Sequence, residues 1–317
     1  MKRLKKGFRT ALLLFLVVVA FQQAARASFL LPEVSLRYDA PLTGEQVAAA
    51  REYGRLCGKT ALTFWTERTV VVWQTFASVI AVQITFDGEA DVAFPAEYTF
   101  GRAPSGLEPE TCAVSTGFAW MLWGSEEIVG LELTAEGSVC RVVGVFEWDA
   151  PLLLRPDAEG FTAVELQGLS EQEDSYRQAD TFAGASGLGT PDEILWGTGF
   201  GAWLRCLPWL SLTAVGLCAG TKRGPRKYRG WGLCLVLLFA IALPNLLQAL
   251  PPWLIPTRWS DFEFWSQLWQ TLSKRCHDLV ALTPQFRDTE AKLAGIKAIL
   301  ACLGACVLLP GWLRRSH

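Results

Sequence analysis

The sequence predicts an α+β extracytoplasmic domain carried by an α-helical membrane domain of about four spans. The first observation is size and apolar content, since 317 residues, 51% of them hydrophobic, suffice for one sizeable domain and several membrane segments. The second is charge. Residues 28–198 hold 26 Asp and Glu against 9 Lys and Arg, whereas short basic stretches elsewhere each border a long apolar run. Basic residues beside a span stay in the cytoplasm, so the acidic block is predicted to be outside.

Three apolar runs are each about long enough to cross a bilayer, at residues 203–220, 231–250 and 293–313. Tryptophans lie at or near their ends, as interfacial aromatic side chains do: Trp203, Trp209, Trp231, Trp253 and Trp312. These runs place residues 199–317 in a membrane domain. We predict a multi-pass protein of the cell membrane, with residues 221–229 and the C-terminus in the cytoplasm and residues 28–198 and 251–292 outside.

Residues 1–31 have two interpretations. A basic start, an apolar core at residues 11–21 and the sequence Ala-Arg-Ala before Ser28 are typical of a cleaved signal peptide. A transmembrane segment would instead continue through two glutamines and Arg26 to Leu31. The residue pattern alone slightly favours the signal peptide. Both interpretations leave the acidic block exported.

Local patterns divide the exported part into a domain at residues 32–168 and an acidic helix with a linker at residues 169–198. A capping box of Thr43 and Gln46 starts a helix that ends near Cys57. Ser115 caps a second helix over residues 116–123. Clusters of β-branched and aromatic residues predict strands over residues 60–65, 70–74, 77–86, 90–94, 131–134, 139–146 and 161–166. The acidic helix is predicted over residues 171–183.

One predicted strand shows a clear alternation. Ile80, Val82, Ile84 and Phe86 alternate with Ala81, Gln83 and Thr85, which predicts a strand with one buried face.

The stretch CAVSTGFAWMLWGSEEIVGLELTAEGSVCRVVGVFE, residues 112–147, resembles the signature of the MacB-like periplasmic core domain. In that family a helix ending in a large residue, Gly and Ser precedes a Val-Gly turn, a strand, a short turn and a VVGVF strand. The segments ALTFWTERTVVVWQT and FPAEYTFGR come before it in the family's order. With one span before the domain and three after it, the chain resembles the FtsX/MacB class of ABC-transporter permeases.

The resemblance implies a non-catalytic subunit whose exported domain is a lever or docking surface, moved when a separate ABC ATPase works in the cytoplasm. It favours a retained first span over a cleaved signal peptide. The basic cytoplasmic loop offers candidate contacts to the ATPase at Lys222, Arg223, Arg226 and Lys227.

The same loop departs from the family pattern. Such permeases contact their ATPase through a short helix there, but residues 219–230 contain three Gly and one Pro and form a poor helix. A membrane-anchored extracytoplasmic binding or scaffolding protein, not coupled to an ATPase, therefore remains the alternative.

No motif in the sequence predicts an enzyme, a cofactor or a metal. The segment YGRLCGKT, residues 53–60, has three residues between its glycines where a phosphate-binding loop has four. There is no Gly-x-Ser-x-Gly, and no cysteine pair has the spacing of a metal site. The basic stretches are too short and too close to the membrane to predict nucleic-acid binding.

Four cysteines are predicted to be outside the membrane core: Cys57, Cys112, Cys140 and Cys276. A bridge between Cys112 and Cys140 is one alternative, because the hairpin can return near the start of the helix. Free thiols are the other.

Residues 260–282 predict an amphipathic helix on the outer side of the membrane. Ser260 and Glu263 form a capping box, and apolar residues then recur at helical spacing. The residues proposed to contact the membrane interface are Trp265, Leu268, Trp269 and Leu272. A helix lying flat on the bilayer is favoured, and packing beneath the acidic domain is the alternative.

Small residues near the C-terminus predict a homodimer. Ala298, Ala301 and Ala305 recur at the spacing that lets membrane helices approach closely. The predicted partners are therefore the lipid bilayer, a separate ABC ATPase and a second copy of the chain.

Overall fold

The structure is a computed structural model, and it describes residues 2–57, 61–74, 77–157, 159–170, 173–221, 262–281 and 285–314. The chain forms two compact units. The sheet unit comprises Pro32–Trp196 and Trp269–Arg287, and the helical unit comprises Met1–Leu31, Gly197–Leu268 and Asp288–His317. The sheet unit thus contains the predicted extracytoplasmic domain together with a short segment from much later in the chain.

One sheet of ten strands organises the described part of the sheet unit. The strands are β1 (Val34–Arg37), β2 (Ala61–Gln74), β3 (Ala77–Asp87), β4 (Tyr98–Gly101), β5 (Thr111–Ser115), β6 (Glu132–Ala135), β7 (Ser138–Phe146), β8 (Leu152–Pro156), β9 (Ala163–Gln167) and β10 (Glu193–Leu195). Their order is β10-β1-β9-β2-β3-β8-β5-β7-β4, and β6 pairs with both β2 and β7. The pairs β3–β8 and β5–β7 are parallel, so the sheet is mixed.

The helices, in chain order, are α1 (Lys2–Leu30), α2 (Gly44–Cys57), α3 (Ala90–Ala93), α4 (Thr116–Trp123), α5 (Ser175–Ala185), α6 (Gly197–Thr221), α7 (Phe262–Ala281) and α8 (Phe286–Arg314). Helices α2 to α5 belong to the sheet unit, whereas α1 and α6 belong to the helical unit. Helix α7 starts in the helical unit and ends in the sheet unit. The first two residues of α8 belong to the sheet unit, and the rest of α8 belongs to the helical unit.

The local predictions for α2 and α4 are confirmed. Gln46 accepts a hydrogen bond from the Thr43 backbone N–H at 2.9 Å, and the Thr43 hydroxyl accepts one from the Gln46 N–H at 3.3 Å. The Ser115 hydroxyl accepts a hydrogen bond from the Phe118 N–H at 3.1 Å and so caps α4. These signals are readable because each pair of partners lies three residues apart in sequence.

The prediction that only one face of β3 is buried is wrong. Ala81 lies in a core cluster beneath α4, whereas Ile84 and Phe86 lie in a second cluster, and Ile80 is 67% exposed. Because side chains alternate along a strand, these clusters cover opposite faces of the sheet. A sheet buried on both faces does not require polar residues at alternate positions.

Several strand predictions also change. Residues 61–74 form one long strand rather than two, because β3 pairs with β2 along its whole length to Gln74. Residues 90–93 form α3 rather than a strand, since burying Ala90, Ala93 and Phe94 together suits helical spacing. The short strands β1, β4, β5, β8 and β10 were not predicted, and the acidic helix begins at Ser175 rather than at residue 171.

The glycines of the stretch 112–147 have definite roles. Gly124 ends α4 in the left-handed conformation, with φ of 69°. At Gly144 in β7, a Cβ atom would lie 2.1 Å from the Arg102 carbonyl oxygen. The close approach of these backbones therefore requires glycine.

In the helical unit, α1 packs along α6. Ala298, Ala301 and Ala305 of α8 are buried within this single chain, and Ala301 clusters with Ala20 of α1. The chain's own helices therefore cover these three alanines in the structure, and the homodimer stays a prediction.

Two helices in the described part of the chain are long and apolar enough to cross a membrane, at Ala11–Leu30 and Phe286–Leu308. Signal sequences and core helices of soluble proteins meet the same criterion, so these two helices are weak support for membrane anchoring. The four spans stay a prediction. The predicted span at residues 203–220 lies within α6. The predicted span at residues 231–250 lies outside the described residues.

Candidate coupling site

The segment Trp269–Arg287, here called the docking segment, belongs to the sheet unit although helices of the other unit precede and follow it. Two arginines of this segment are buried, Arg275 at 4% exposure and Arg287 at 3%. A guanidinium group stays charged, so its burial is costly unless a carboxylate and further hydrogen bonds compensate it. Each arginine has such partners on the sheet unit, and together these contacts form the candidate site.

Arg275 lies on the last turns of α7 and pairs with Asp174. One guanidinium nitrogen donates to Asp174 Oδ1 at 3.1 Å, and the second donates to Oδ2. The two parallel hydrogen bonds fix the orientation of the planar group as well as its position. Asp174 also caps α5, because its carboxylate accepts a hydrogen bond from the Tyr176 N–H at 3.2 Å.

Two aromatic rings contact the guanidinium of Arg275. The Tyr176 ring centroid lies 4.4 Å from its central carbon, and the Trp196 ring centroid lies 4.6 Å from it. Trp196 follows β10 directly and donates from its indole nitrogen to the Ser175 hydroxyl at 2.9 Å. Cation–π contacts are strongest where water is excluded, as at this buried site. Burial is also the main reason that the pKa of Tyr176 is raised.

Arg287 lies at the start of α8 and reaches Glu165. Its guanidinium donates to the Val92 carbonyl oxygen at 2.8 Å, to the Ala93 carbonyl oxygen at 3.1 Å and to the Glu165 carboxylate at 3.4 Å. The two carbonyl oxygens end the short helix α3 and would otherwise lack helical partners. Arg287 thereby joins α3 to β9.

Glu165 is 1% exposed and gathers four polar groups around one carboxylate oxygen. It accepts hydrogen bonds from the Trp65 indole at 2.8 Å and from the Ser35 hydroxyl at 2.9 Å. Besides Arg287, Arg37 lies 3.8 Å from the same oxygen. Strand register explains this cluster, because Glu165 on β9 is opposite both Ser35 on β1 and Thr63 on β2.

The docking segment makes three further contacts on this side of the sheet. The Phe286 N–H donates to Glu67 at 2.7 Å, and the Phe286 ring lies 6.1 Å from the Trp148 ring. Arg37 donates to Gln285 and lies 4.5 Å from the Trp65 ring. The segment is therefore attached through backbone, charged and aromatic groups at once.

The site residues predicted from sequence lie elsewhere. Trp265 and Trp269 of α7 are exposed, Trp269 at 73%, and Leu268 and Leu272 are half-buried. The interface role of these four residues stays a prediction. The proposed ATPase contacts Lys222, Arg223, Arg226 and Lys227 lie outside the described residues.

Sequence reasoning missed the arginine contacts. A usable signal was present, since Glu165 is the one charged residue of the predicted strand 161–166 and Arg275 lies among the apolar residues of α7. A lone charge at a position expected to be buried requires a partner of opposite sign. The sequence does not reveal which residue that partner is, because Asp174 and Arg275 are 101 residues apart.

Comparison with known proteins gives structural matches alone. No family model matches the chain, and no curated protein matches it significantly. The extracellular domain of the noncanonical ABC-type transporter YknZ from Gram-positive bacteria is 13% identical, with a TM-score of 0.40, over 51% of this chain and 96% of that one.

The periplasmic region of MacB from Actinobacillus actinomycetemcomitans is 11% identical, with a TM-score of 0.43, over 52% of this chain and 88% of that one. Both are extracytoplasmic domains of the kind that the stretch 112–147 resembles. At these identities and scores the likeness assigns no activity or partner to this chain.

Proposed function

We propose that the chain is a non-catalytic membrane subunit of the ABC-transporter permease kind, whose extracytoplasmic sheet unit moves with its helices. The observation that carries the proposal is the attachment of the docking segment by two buried arginines. Helix α7 leads into this segment and α8 leads out of it. A displacement of either helix would therefore act directly on the buried hydrogen bonds and ion pairs of the two arginines, and not on a flexible linker.

The other two connections to the helical unit support the same proposal. Helix α1 ends at Leu30, four residues before β1, and α6 begins two residues after β10 ends. Strands β1 and β10 pair with each other, with Ser35 opposite Leu195. Connections this short leave little chain to absorb a movement before it reaches the sheet.

The sequence supplies the rest of the proposal. A separate ABC ATPase would provide the energy in the cytoplasm and contact the basic loop at Lys222, Arg223, Arg226 and Lys227. Residues 28–198 and 251–292 would face outward, with residues 221–229 and the C-terminus in the cytoplasm. In this arrangement the docking segment is on the same side of the membrane as the sheet unit that binds it.

One observation favours the alternative, a membrane-anchored binding or scaffolding protein that is not coupled to an ATPase. The loop at residues 219–230 contains three Gly and one Pro, which disfavour the short helix through which such permeases contact their ATPase. In that case the arginine contacts would hold the sheet unit still rather than move it.

Purification of the tagged full chain from its own membranes separates the two functions. We expect an ATPase with a complete phosphate-binding loop to co-purify, and its ATP turnover in lipid nanodiscs to change at least several-fold on Arg275→Ala. The control is Lys274→Ala, an exposed residue of the same helix, which should leave turnover unchanged. Absence of any co-purifying ATPase would contradict the proposal and favour the scaffold.

A further inference from the structure

Cys112 and Cys140 lie together in the interior of the sheet unit. Cys112 is on β5 and Cys140 is on β7, and both side chains are fully buried in the core cluster beneath α4. The two thiols are close enough for each to shift the pKa of the other. Both are thiols in the structure.

Strand pairing accounts for this contact. Strands β5 and β7 are parallel neighbours, with Cys112 opposite Val142. Cys140 is two residues before Val142, so it points to the same face of β7. The two cysteines are thus diagonal neighbours on one face of adjacent strands. Their contact is set by the sheet itself and not by a flexible loop.

The surroundings of Cys140 favour its thiolate. The pKa of Cys140 is lowered to about 7, mainly because the Cys112 thiol donates a hydrogen bond to it, and Arg155 lowers it further while burial opposes both. The pKa of Cys112 is raised well above its usual value, first by the same hydrogen bond and then by burial. A thiolate is the nucleophile in disulfide exchange, and Cys140 is the more readily ionised cysteine of the pair.

We propose that Cys112 and Cys140 form a disulfide in the exported protein, joining β5 to β7. Disulfides form and persist in the oxidising compartments outside the cytoplasm, where the sheet unit is predicted to lie. The inference depends on that export and not on coupling to an ATPase. The remaining described cysteines of the sheet unit, Cys57 on α2 and Cys276 on α7, are exposed.

The oxidant is a second disulfide, such as that of a thiol–disulfide oxidase or oxidised glutathione. While the exported chain folds, before the core closes over Cys140, the Cys140 thiolate attacks one of the oxidant's sulfurs, which forms a mixed disulfide and releases one thiolate. Cys112 then loses its proton and attacks Cys140 Sγ, which releases the second thiolate. In total two protons and two electrons leave the cysteine pair, and the oxidant's disulfide becomes two thiols.

The bridge encloses most of the stretch 112–147, which carries the resemblance to the MacB-like domain. The 27 residues between the cysteines (113–139) contain α4, the turn at Gly130 and β6. A crosslink across such a segment stabilises a fold mainly by restricting the unfolded chain. Reduction is therefore expected to lower the melting temperature of the sheet unit by about 5–15 °C.

Peptide mapping tests the inference on the full chain, expressed with its native export and trapped with N-ethylmaleimide before lysis without reductant. We expect a crosslinked peptide pair containing Cys112 and Cys140, together with Cys57 modified as a thiol. Recovery of Cys112 and Cys140 as thiols, alkylated once the trapped protein is denatured, would overturn the inference.

Thermal unfolding of the same purified protein provides the second measurement. Dithiothreitol should lower the melting temperature of the natural chain and of Cys57→Ser equally. It should have no effect on the double variant Cys112→Ala, Cys140→Ala, whose core remains apolar. A melting temperature of the natural chain that dithiothreitol leaves unchanged would contradict the proposed bridge.

Discussion

Arg275 and Arg287 carry the attachment of the docking segment, and they are compensated in different ways. Arg275 has a bidentate carboxylate and two aromatic rings, whereas Arg287 shares one carboxylate and takes two backbone carbonyl oxygens. The loss of either arginine would leave a buried carboxylate without its main cation. Such losses are more damaging than the net contribution of the intact pair.

The first prediction concerns Arg275→Ala. Loss of the guanidinium leaves Asp174, itself nearly buried, without compensation, and should destabilise the attachment of α7 by about 3–5 kcal/mol. The measurement is amide hydrogen exchange over residues 269–281 in the full chain, where protection should fall.

Arg177→Ala is the matched control for this prediction. Arg177 lies 3.9 Å from the same carboxylate, but its side chain is 83% exposed, so its contribution should be below about 1 kcal/mol. Equal losses of protection in the two variants would contradict the role given to Arg275.

The second prediction concerns Arg287 and Glu165. Arg287→Met and Glu165→Gln should each lower the free energy of unfolding, because each leaves the other group buried with fewer partners. The double variant should lose less than the sum of the two by about 1–3 kcal/mol. Urea unfolding of the four proteins measures this coupling energy. The pair Arg102 and Glu108, about half exposed, is the control and should show a coupling below about 1 kcal/mol.

At the scale of elements, Ser115 holds the start of α4 and the end of β5 against a neighbouring strand. Its hydroxyl accepts hydrogen bonds from Phe118 N–H and from Leu152 N–H at 3.0 Å, and it donates to the Ala150 carbonyl oxygen at 2.6 Å. Thr43, in contrast, caps α2 at the surface through its capping box with Gln46. The two caps therefore differ in burial although the sequence marks both.

The third prediction follows from this difference. Ser115→Ala leaves two buried backbone N–H groups and one part-buried carbonyl oxygen without this partner and should cost about 3 kcal/mol of unfolding free energy, whereas Thr43→Ala should cost about 1 kcal/mol. Urea midpoints of the two variants decide the matter. Similar shifts for both would show that the buried bonds of Ser115 contribute no more than a surface cap.

At the scale of the whole molecule, helix α7 has two parts with different roles: one face is exposed, and its last turns bind the sheet unit. Trp265 and Trp269 are exposed, whereas Arg275 is buried in the sheet unit. The apolar face is thus not required for the attachment made by Arg275. We propose that this face meets the outer membrane interface, where tryptophan side chains are favoured.

The fourth prediction tests that role. The pair Trp265→Glu, Trp269→Glu should detach the N-terminal part of α7 from the bilayer and leave the sheet unit folded and resistant to protease. The pair Ser266→Glu, Gln270→Glu adds the same charge at exposed positions of this helix and should have no effect. Tryptophan emission in liposomes and limited proteolysis are the measurements. Unchanged emission with a newly cleavable sheet unit would contradict the interface role.

The fifth prediction concerns topology. Introduced cysteines at Gly224→Cys and Gly106→Cys should respond oppositely to a membrane-impermeant maleimide on intact cells, with modification at position 106 and not at position 224. Peptide mapping distinguishes them from the native cysteines. The reverse pattern would contradict the proposed orientation. A separate measurement, the intact mass of the same protein, shows whether residues 1–27 are retained.

The sequence by itself determined those features whose cause lies within a few residues. Side-chain caps three residues from their partners predicted where α2 and α4 begin. The glycine that ends α4 belongs here too, because the left-handed backbone of Gly124 favours a residue without a side chain. The division by charge into an exported part and a membrane part stays a prediction.

Only the tertiary structure decided which residues attach the late segment of the chain to the early domain. Arg287 and Glu165 are 122 residues apart, and Arg275 and Asp174 are 101 residues apart. The short strands β1 and β10 also exist through partners far along the chain. A local pattern reports whether a side chain prefers burial, but a buried charge is tolerated only where folding brings its counter-charge, and that encounter is a property of the whole fold.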